Sequence, residues 1–263
     1  MLDAKLALIG CGRLGFSILQ GLRRAGLTRI SVFDVDMQKV EKAASLGFRA
    51  CKSSREAVEE ADIVILSVKP GVISQVCQEI ADKIFGKLII STAAATTLTK
   101  LASLLPASYI VRVMPNIAVS LNGSITLLAH APNVPKEVLD KAISLFKALG
   151  EVMVVDEDTL DKATVISGSG PAYVAYFVEA LVKSAKSLEL DEQLALKLSA
   201  LTFLGASRLL VESQMSTKEV IDTVATPGGL TAKALETLDL LKLKESFAQA
   251  VLEAYKKLLS IRQ

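Results

Sequence analysis

The chain has 263 residues, 51% of them hydrophobic, and its 30 basic and 28 acidic residues give a formal charge of +2. That length supports one large domain or two modest ones, each with a core of its own, so disulfides are not needed for stability. Dispersed basic residues argue against a nucleic-acid groove, and charge breaks every apolar run short of a membrane span.

The amino terminus has no basic start leading into an apolar stretch and a small-residue cleavage site, which points to a cytoplasmic protein. Cys11, Cys51 and Cys77 show neither CxxC spacing nor histidine neighbours and read as small buried residues. With His130 the sole histidine, a Ser-His-Asp relay or a histidine-rich zinc site has little material, and no metal is expected.

Short apolar runs alternate with helix-length amphipathic stretches as far as Met114. Runs at 6–9, 30–33, 63–68, 88–91 and 110–114 predict strands. Patterns at 14–25, 40–46 and 98–105 predict helices between them, with Ser53 or Ser54 capping a helix that carries Glu56. Such alternation marks a parallel sheet covered by helices on both faces, and 152–155 adds a last strand. Beyond Asp156 apolar residues recur at spacings of three and four almost to the end, which predicts an all-helical half. Pro171 suits the first turn of a helix reaching about Leu188, Asp191 caps the next through Leu210, and Thr217 with Lys218 and Glu219 opens a third. A Thr226-Pro227-Gly228-Gly229 loop and two terminal helices follow. Domains are expected over 1–157 and 158–263.

Gly10-Cys11-Gly12-Arg13-Leu14-Gly15 matches GxGxxG between a predicted strand and a predicted helix, where dinucleotide binding needs it. Gly10 permits the tight turn, Gly12 lets a pyrophosphate approach the backbone, and Gly15 lets helix and strand pack closely. The helix N-terminus offers N–H groups to the phosphates. Asp34 ends the second strand about 20 residues on, placed to accept hydrogen bonds from the adenosine ribose. A 2′-phosphate there sets negative charge against Asp34 and Asp36, at about 4 kcal/mol for one unit pair 4 Å apart in an effective dielectric of 20. Arg13, Lys39 and Lys42 offset part of that. The expected cofactor is NADH or NADPH, with Asp34 favouring NADH; an aspartate that merely caps the next helix is the alternative. The expected fold class is α/β, an N-terminal Rossmann-type, doubly wound, mainly parallel sheet followed by an all-helical C-terminal domain.

Four more motifs follow in order: Ser67-Val68-Lys69-Pro70, Arg112-Val113-Met114-Pro115-Asn116, Gly168-Ser169-Gly170-Pro171-Ala172-Tyr173 and Thr226-Pro227-Gly228-Gly229-Leu230-Thr231. Together they resemble pyrroline-5-carboxylate reductase over nearly the whole chain. The resemblance implies an NAD(P)H-dependent oxidoreductase that reduces the cyclic imine pyrroline-5-carboxylate to L-proline, the last step of proline biosynthesis. It implies that Val68, Lys69 and Pro70 line the nicotinamide side of the cofactor, with Ala93, Ala95, Met114 and Asn116 nearby.

Gly228 and Gly229 expose backbone N–H groups and Thr231 lies at the start of a helix, a nest suited to a carboxylate. Thr226 and Thr231 add hydroxyls, although a bare capping turn uses the same residue types. By resemblance this turn, Leu230 included, binds the substrate, Ser169 helps shape the pocket, and Thr231 is the catalytic residue. Its hydroxyl hydrogen-bonds the ring nitrogen and relays a proton from water.

The resemblance also implies that the helical half is a dimerisation domain making an intertwined dimer, in some members a ring of dimers. The active site then lies between one subunit's cofactor domain and a partner's helices. Apolar stretches such as Phe203-Leu204 and Leu209-Leu210-Val211 suit an interface. The chain departs from the usual pattern at Leu14, Ile117-Ala118, Thr226 and Leu230. Asp34 departs further, since many members favour NADPH. Two other readings stay open: another imine or 3-hydroxyacid reductase, with Lys162 the nearest cationic acid, and a non-catalytic dinucleotide-binding sensor.

Overall fold

The computed structural model describes residues 4–262; residues 1–3 and 263, the outer ends of the two expected domains, lie outside the described residues. In chain order, β1 (Leu6–Ile9) leads into α1 (Arg13–Arg24), β2 (Ile30–Phe33), α2 (Met37–Ala44), β3 (Arg49–Ala50), α3 (Ser54–Glu59) and β4 (Ile63–Leu66). Next come α4 (Ile73–Ile80), β5 (Leu88–Ser91), α5 (Leu98–Leu104), β6 (Tyr109–Met114), β7 (Ser124–His130), α6 (Lys136–Lys147) and β8 (Gly150–Val154). The rest is helical: α7 (Glu157–Ser167), α8 (Gly170–Lys186), α9 (Glu192–Val211), α10 (Thr217–Val224), α11 (Leu230–Leu240) and α12 (Leu243–Ser260).

The eight strands form one sheet in the order β3-β2-β1-β4-β5-β6-β7-β8, parallel except where β6 meets β7. Strands β1, β4 and β5 are buried along their whole length, so they carry unbroken aliphatic runs rather than an alternating pattern. The antiparallel pair has a local cause. After β6 the chain makes a short 3₁₀ turn over Ile117–Leu121 that ends at left-handed Asn122, whose Nδ2 donates to Gly21 O and Ala148 O. So short a reversal cannot carry the crossover that a parallel neighbour requires.

Side-chain caps set the helix starts. Ser53 accepts from Glu56 N–H, Thr97 from Lys100 N–H, Asp156 from Thr159 N–H and Asp191 from Leu194 N–H, each worth about 1 kcal/mol. Ser216 and Glu219 form a full capping box at α10.

By packing, the first compact unit runs to Ser169 and takes back the chain from Ala254, while Gly170–Glu253 forms the second. Helix α7 packs on β7 and so falls within the first unit. Its Leu160 is fully enclosed with Met114, Leu127 and Ala129. The first unit holds nearly all of the buried core. In the second, only Val178, Ala195 and Ser199 are buried, while Leu196, Leu198, Leu201, Leu204 and Leu241 are more than half exposed. Glu157–Lys186 and Glu192–Val211 are apolar and long enough to cross a membrane by length and composition. Surface of this kind needs a cover.

Candidate active site

The order of strands reverses between β1 and β4, and the loops leaving the carboxyl ends of these two strands part there, the place where open α/β sheets bind ligands. The glycine turn occupies this point. Gly10 has φ +97°, and a Cβ on it would stand 2.4 Å from Ser67 O; a Cβ on Gly15 would stand 1.9 Å from Gly10 O. At Gly12 a Cβ would meet nothing within 4 Å, so the space beside that backbone is open. Helix α1 begins at Gly12 without a side-chain cap, leaving its first N–H groups and the positive end of its dipole to an anion. These features fit a dinucleotide pyrophosphate.

Beside the turn a cleft of about 360 Å³ is lined by Gly12, Arg13, Phe16, Lys39 and Lys42, a cation-rich wall for phosphate. Lys42 lies 4.4 Å from the centre of the Phe16 ring. On the other side, a slot of about 130 Å³ runs between Asp34-Val35 and Val72-Val76, with Val35 90% exposed. Its flat apolar walls suit a purine. A cleft of about 380 Å³ at Lys5, Arg29 and Arg49 opens at the amino ends of the strands, away from the turn.

Asp34 is buried, and both its oxygens take backbone amides: Oδ2 from Cys11 N–H at 2.8 Å and Oδ1 from Asp36 N–H at 2.9 Å. Asp36, not Asp34, caps α2 by accepting from Gln38 N–H. Asp34 therefore locks the glycine turn to the end of β2. Lys39 Nζ lies 3.2 Å from Asp36 Oδ2 and 3.8 Å from Asp34 Oδ1, and the hydrogen bond to Asp36, followed by the Asp34 charge, holds its ammonium above the ordinary lysine range. Burial, with the Asp34 charge adding to it, pushes the Cys11 thiol up to about 12, so it is no nucleophile.

The other expected cofactor residues lie at the carboxyl ends of β4, β5 and β6, side by side. Ser67 and half-buried Val68 press on Gly10, Lys69 is exposed, and Pro70 opens a 3₁₀ turn before α4. Ala93 and Ala95 are buried, and Ala95 is left-handed at φ 59°. Met114 sits in a small core, while Asn116 donates its N–H to Ser124 Oγ and its Nδ2 to Ser167 O, and accepts from Ala118 N–H. The side chains of Ala93, Ala95, Met114 and Asn116 are thus buried. Sequence reasoning passes over Thr92, which donates to Ser67 Oγ at 3.2 Å, and over Val35, Val72 and Val76 of the slot. Their one signal is position, directly after a strand or one turn into the helix that follows.

The expected substrate turn lies in the second unit. Gly228 has φ +74°, and a Cβ on Gly229 would strike Thr226 Oγ1 at 2.5 Å. Helix α11 starts at Gly229 with no side-chain cap; Thr231 is half-buried in its first turn and Leu230 is 93% exposed. Free first-turn amides beside a hydroxyl make an anion nest. Ser169 is half-buried in the turn between α7 and α8. Lys162 is exposed and paired with Asp158 one turn away. Among the described residues no cluster of histidine, cysteine or carboxylate side chains could hold a metal.

A glycine turn at the switch point of a doubly wound sheet, with an anion nest on a helical unit, defines a nicotinamide-dependent oxidoreductase. Residues 5–95 match the family model for NADP oxidoreductases, coenzyme F420-dependent, and residues 157–260 match that for pyrroline-5-carboxylate reductase dimerisation. The chain is 34% identical to a pyrroline-5-carboxylate reductase of Methanosarcina acetivorans, covering 97% of this chain and 96% of that one. To the Escherichia coli enzyme of the same name it is 31% identical, over 97% and 96%. Among solved structures, a pyrroline-5-carboxylate reductase from Coxiella burnetii superposes with a TM-score of 0.89 at 32% identity over the full length of both. The Plasmodium falciparum pyrroline carboxylate reductase, solved with NADP bound, gives 0.91 at 25%, also over the full length of both. A Mycobacterium tuberculosis 3-hydroxyisobutyrate dehydrogenase is alike in fold alone, at 16% identity over 88% of this chain and 72% of that one, with a TM-score of 0.54. The chain belongs to the pyrroline-5-carboxylate reductase family. Residues 157–260 are the family's dimerisation domain, and the second compact unit, Gly170–Glu253, lies within it.

Proposed function

We propose that this chain reduces the cyclic imine of pyrroline-5-carboxylate to L-proline. The observation that carries the reading is the presence, in one chain of this family, of a complete dinucleotide turn and an uncapped helix nest bearing Thr231. The bound dinucleotide supplies the hydride. The chain's residues supply position. Amides at the start of α11, with Gly228, Gly229 and Thr226, hold the substrate carboxylate beside Leu230, and Ser169 shapes the pocket. The Thr231 hydroxyl hydrogen-bonds the ring nitrogen and passes it a proton from water. No stronger acid is needed when the imine binds already protonated. Lys162, tied to Asp158, gives no support to a hydroxyacid reaction.

NADH is the preferred cofactor in this reading. A 2′-phosphate would crowd Asp34 and Asp36, and Lys39 is already shared between them. The enzyme works in the cytoplasm as a dimer or a dimer-based ring, in which the exposed leucines of α9 are covered by a second copy. Sedimentation tests the assembly: Leu204→Glu is expected to release inactive monomers, and a stable, active monomer of the unaltered chain would contradict it. The activity is tested by cofactor oxidation with the imine against 3-hydroxyacids. Turnover of the imine alone is expected, and tight NADH binding with no imine reduction would mark a sensor instead.

A further inference from the structure

Helix α7 turns an unusual amount of charge toward the sheet. Arg112 of β6 is 1% exposed, and it donates Nη1 to Glu157 Oε1 at 2.6 Å and Nη2 to Asp161 Oδ1 at 2.8 Å. The same Glu157 oxygen accepts Leu98 N–H at 2.6 Å, the first residue of α5. At its far end α7 accepts the Asn116 Nδ2 donor on Ser167 O. One helix thus fastens the loop at 93–97, which enters α5, and the loop at 114–116, which leaves β6.

The charges do not balance within this group. One arginine faces two carboxylates, and Asp161 is 1% exposed with an Oδ2 that makes no hydrogen bond. The missing cation comes from the end of the chain, where Arg262 Nε lies 3.3 Å from that oxygen. Arg112 alone leaves one of the two carboxylate charges uncompensated, which is unfavourable away from water, so the seat of α7 draws on this contact.

We propose that Arg262 is a positioning residue: by neutralising Asp161 it keeps α7 seated on β6 and α5, and so holds the loops at 93–95 and 114–116 in place for hydride transfer. The inference rests on reading those loops as the nicotinamide side of the site. Arg262 acts only through Asp161 and α7.

The test compares Arg262→Ala, Arg262→Lys and the double variant Asp161→Asn/Arg262→Ala in the full-length protein, reading kcat, KM for the imine, Kd for NADH and Tm. Arg262→Ala is expected to lower kcat about tenfold, inside the roughly hundredfold that a 1 Å misplacement brings, with KM and Kd within about twofold. Arg262→Lys keeps the charge, and the double variant removes the carboxylate charge while retaining an acceptor for Arg112; both are expected to recover most of the loss. Unchanged kcat in Arg262→Ala, or a loss that neither partner change recovers, would overturn the proposal. Amide hydrogen exchange reads the same seat without turnover, so a protein that proved inactive on the imine would still decide the matter. The Leu98 amide, which donates to Glu157, is expected to exchange faster in Arg262→Ala, and unchanged exchange there would refute the positioning role.

Discussion

Gly12→Ala separates binding from folding. Its backbone is extended, at φ −64° and ψ −171°, which alanine adopts without strain, and the added Cβ would meet nothing within 4 Å. Loss of glycine at the helix N-cap destabilises by about 0.5–1 kcal/mol, a drop of a few degrees in Tm. The methyl fills the space a phosphate must enter. Displacing two charge-assisted hydrogen bonds of about 1.5–3 kcal/mol each weakens NADH binding by about 3–6 kcal/mol, or roughly 10²- to 10⁴-fold. Gly15→Ala makes the contrast, since its Cβ would lie 1.9 Å from backbone oxygen and the turn must move. Overpacking of that kind adds about 1–3 kcal/mol of instability. Thermal melts with NADH fluorescence titration read both quantities. Near-normal NADH affinity in Gly12→Ala, or a larger loss of stability there than in Gly15→Ala, would refute the assignment of the turn.

Thr231→Ala is expected to lower kcat with imine well beyond any change in NADH affinity; near-normal steady-state kinetics would remove the proton-relay role. Asp34→Ala leaves the buried Cys11 N–H without its acceptor, so a loss of about 1–3 kcal/mol in stability is expected, together with a shift in kcat/KM toward NADPH. An unchanged cofactor ratio would separate Asp34 from specificity. Stability also responds to alkaline pH. The Cys11 and Cys77 thiols rise from 9.0 to about 12 and about 11 in the folded chain, chiefly through burial. Above about pH 9 the unfolded thiols ionise while the folded ones stay protonated, so their contribution is complete below that pH and is lost progressively toward pH 11–12. Replacing both cysteines by alanine should flatten this limb of a pH–Tm curve, and an unaltered limb would contradict it.

The central strands are legible in the sequence because burial on both faces demands unbroken aliphatic runs, as in Ile63–Leu66 and Leu88–Ser91. Strand β3 is not, since two exposed residues carry no pattern, and β7 follows a reversal fixed by Asn122 and its distant acceptors. Helix α7 reads as the start of the helical half by periodicity, yet its inward charges tie it to the sheet. The glycine turn is readable because Gly10 and Gly15 answer local steric demands and Gly12 leaves the space beside its backbone open. The wall at Val72 and Val76 is less so, since it forms only when α4 packs beside β2. Nor does periodicity disclose that Asp34 commits one oxygen to the backbone of a turn 23 residues away and the other to Asp36 N–H.

Initial rates with pyrroline-5-carboxylate, measured with NADH and NADPH in parallel and with L-proline quantified as product, decide whether the chain is an imine reductase. One proline is expected per cofactor oxidised, with the higher kcat/KM for NADH. A protein that binds the dinucleotide but forms no proline with either cofactor would contradict it.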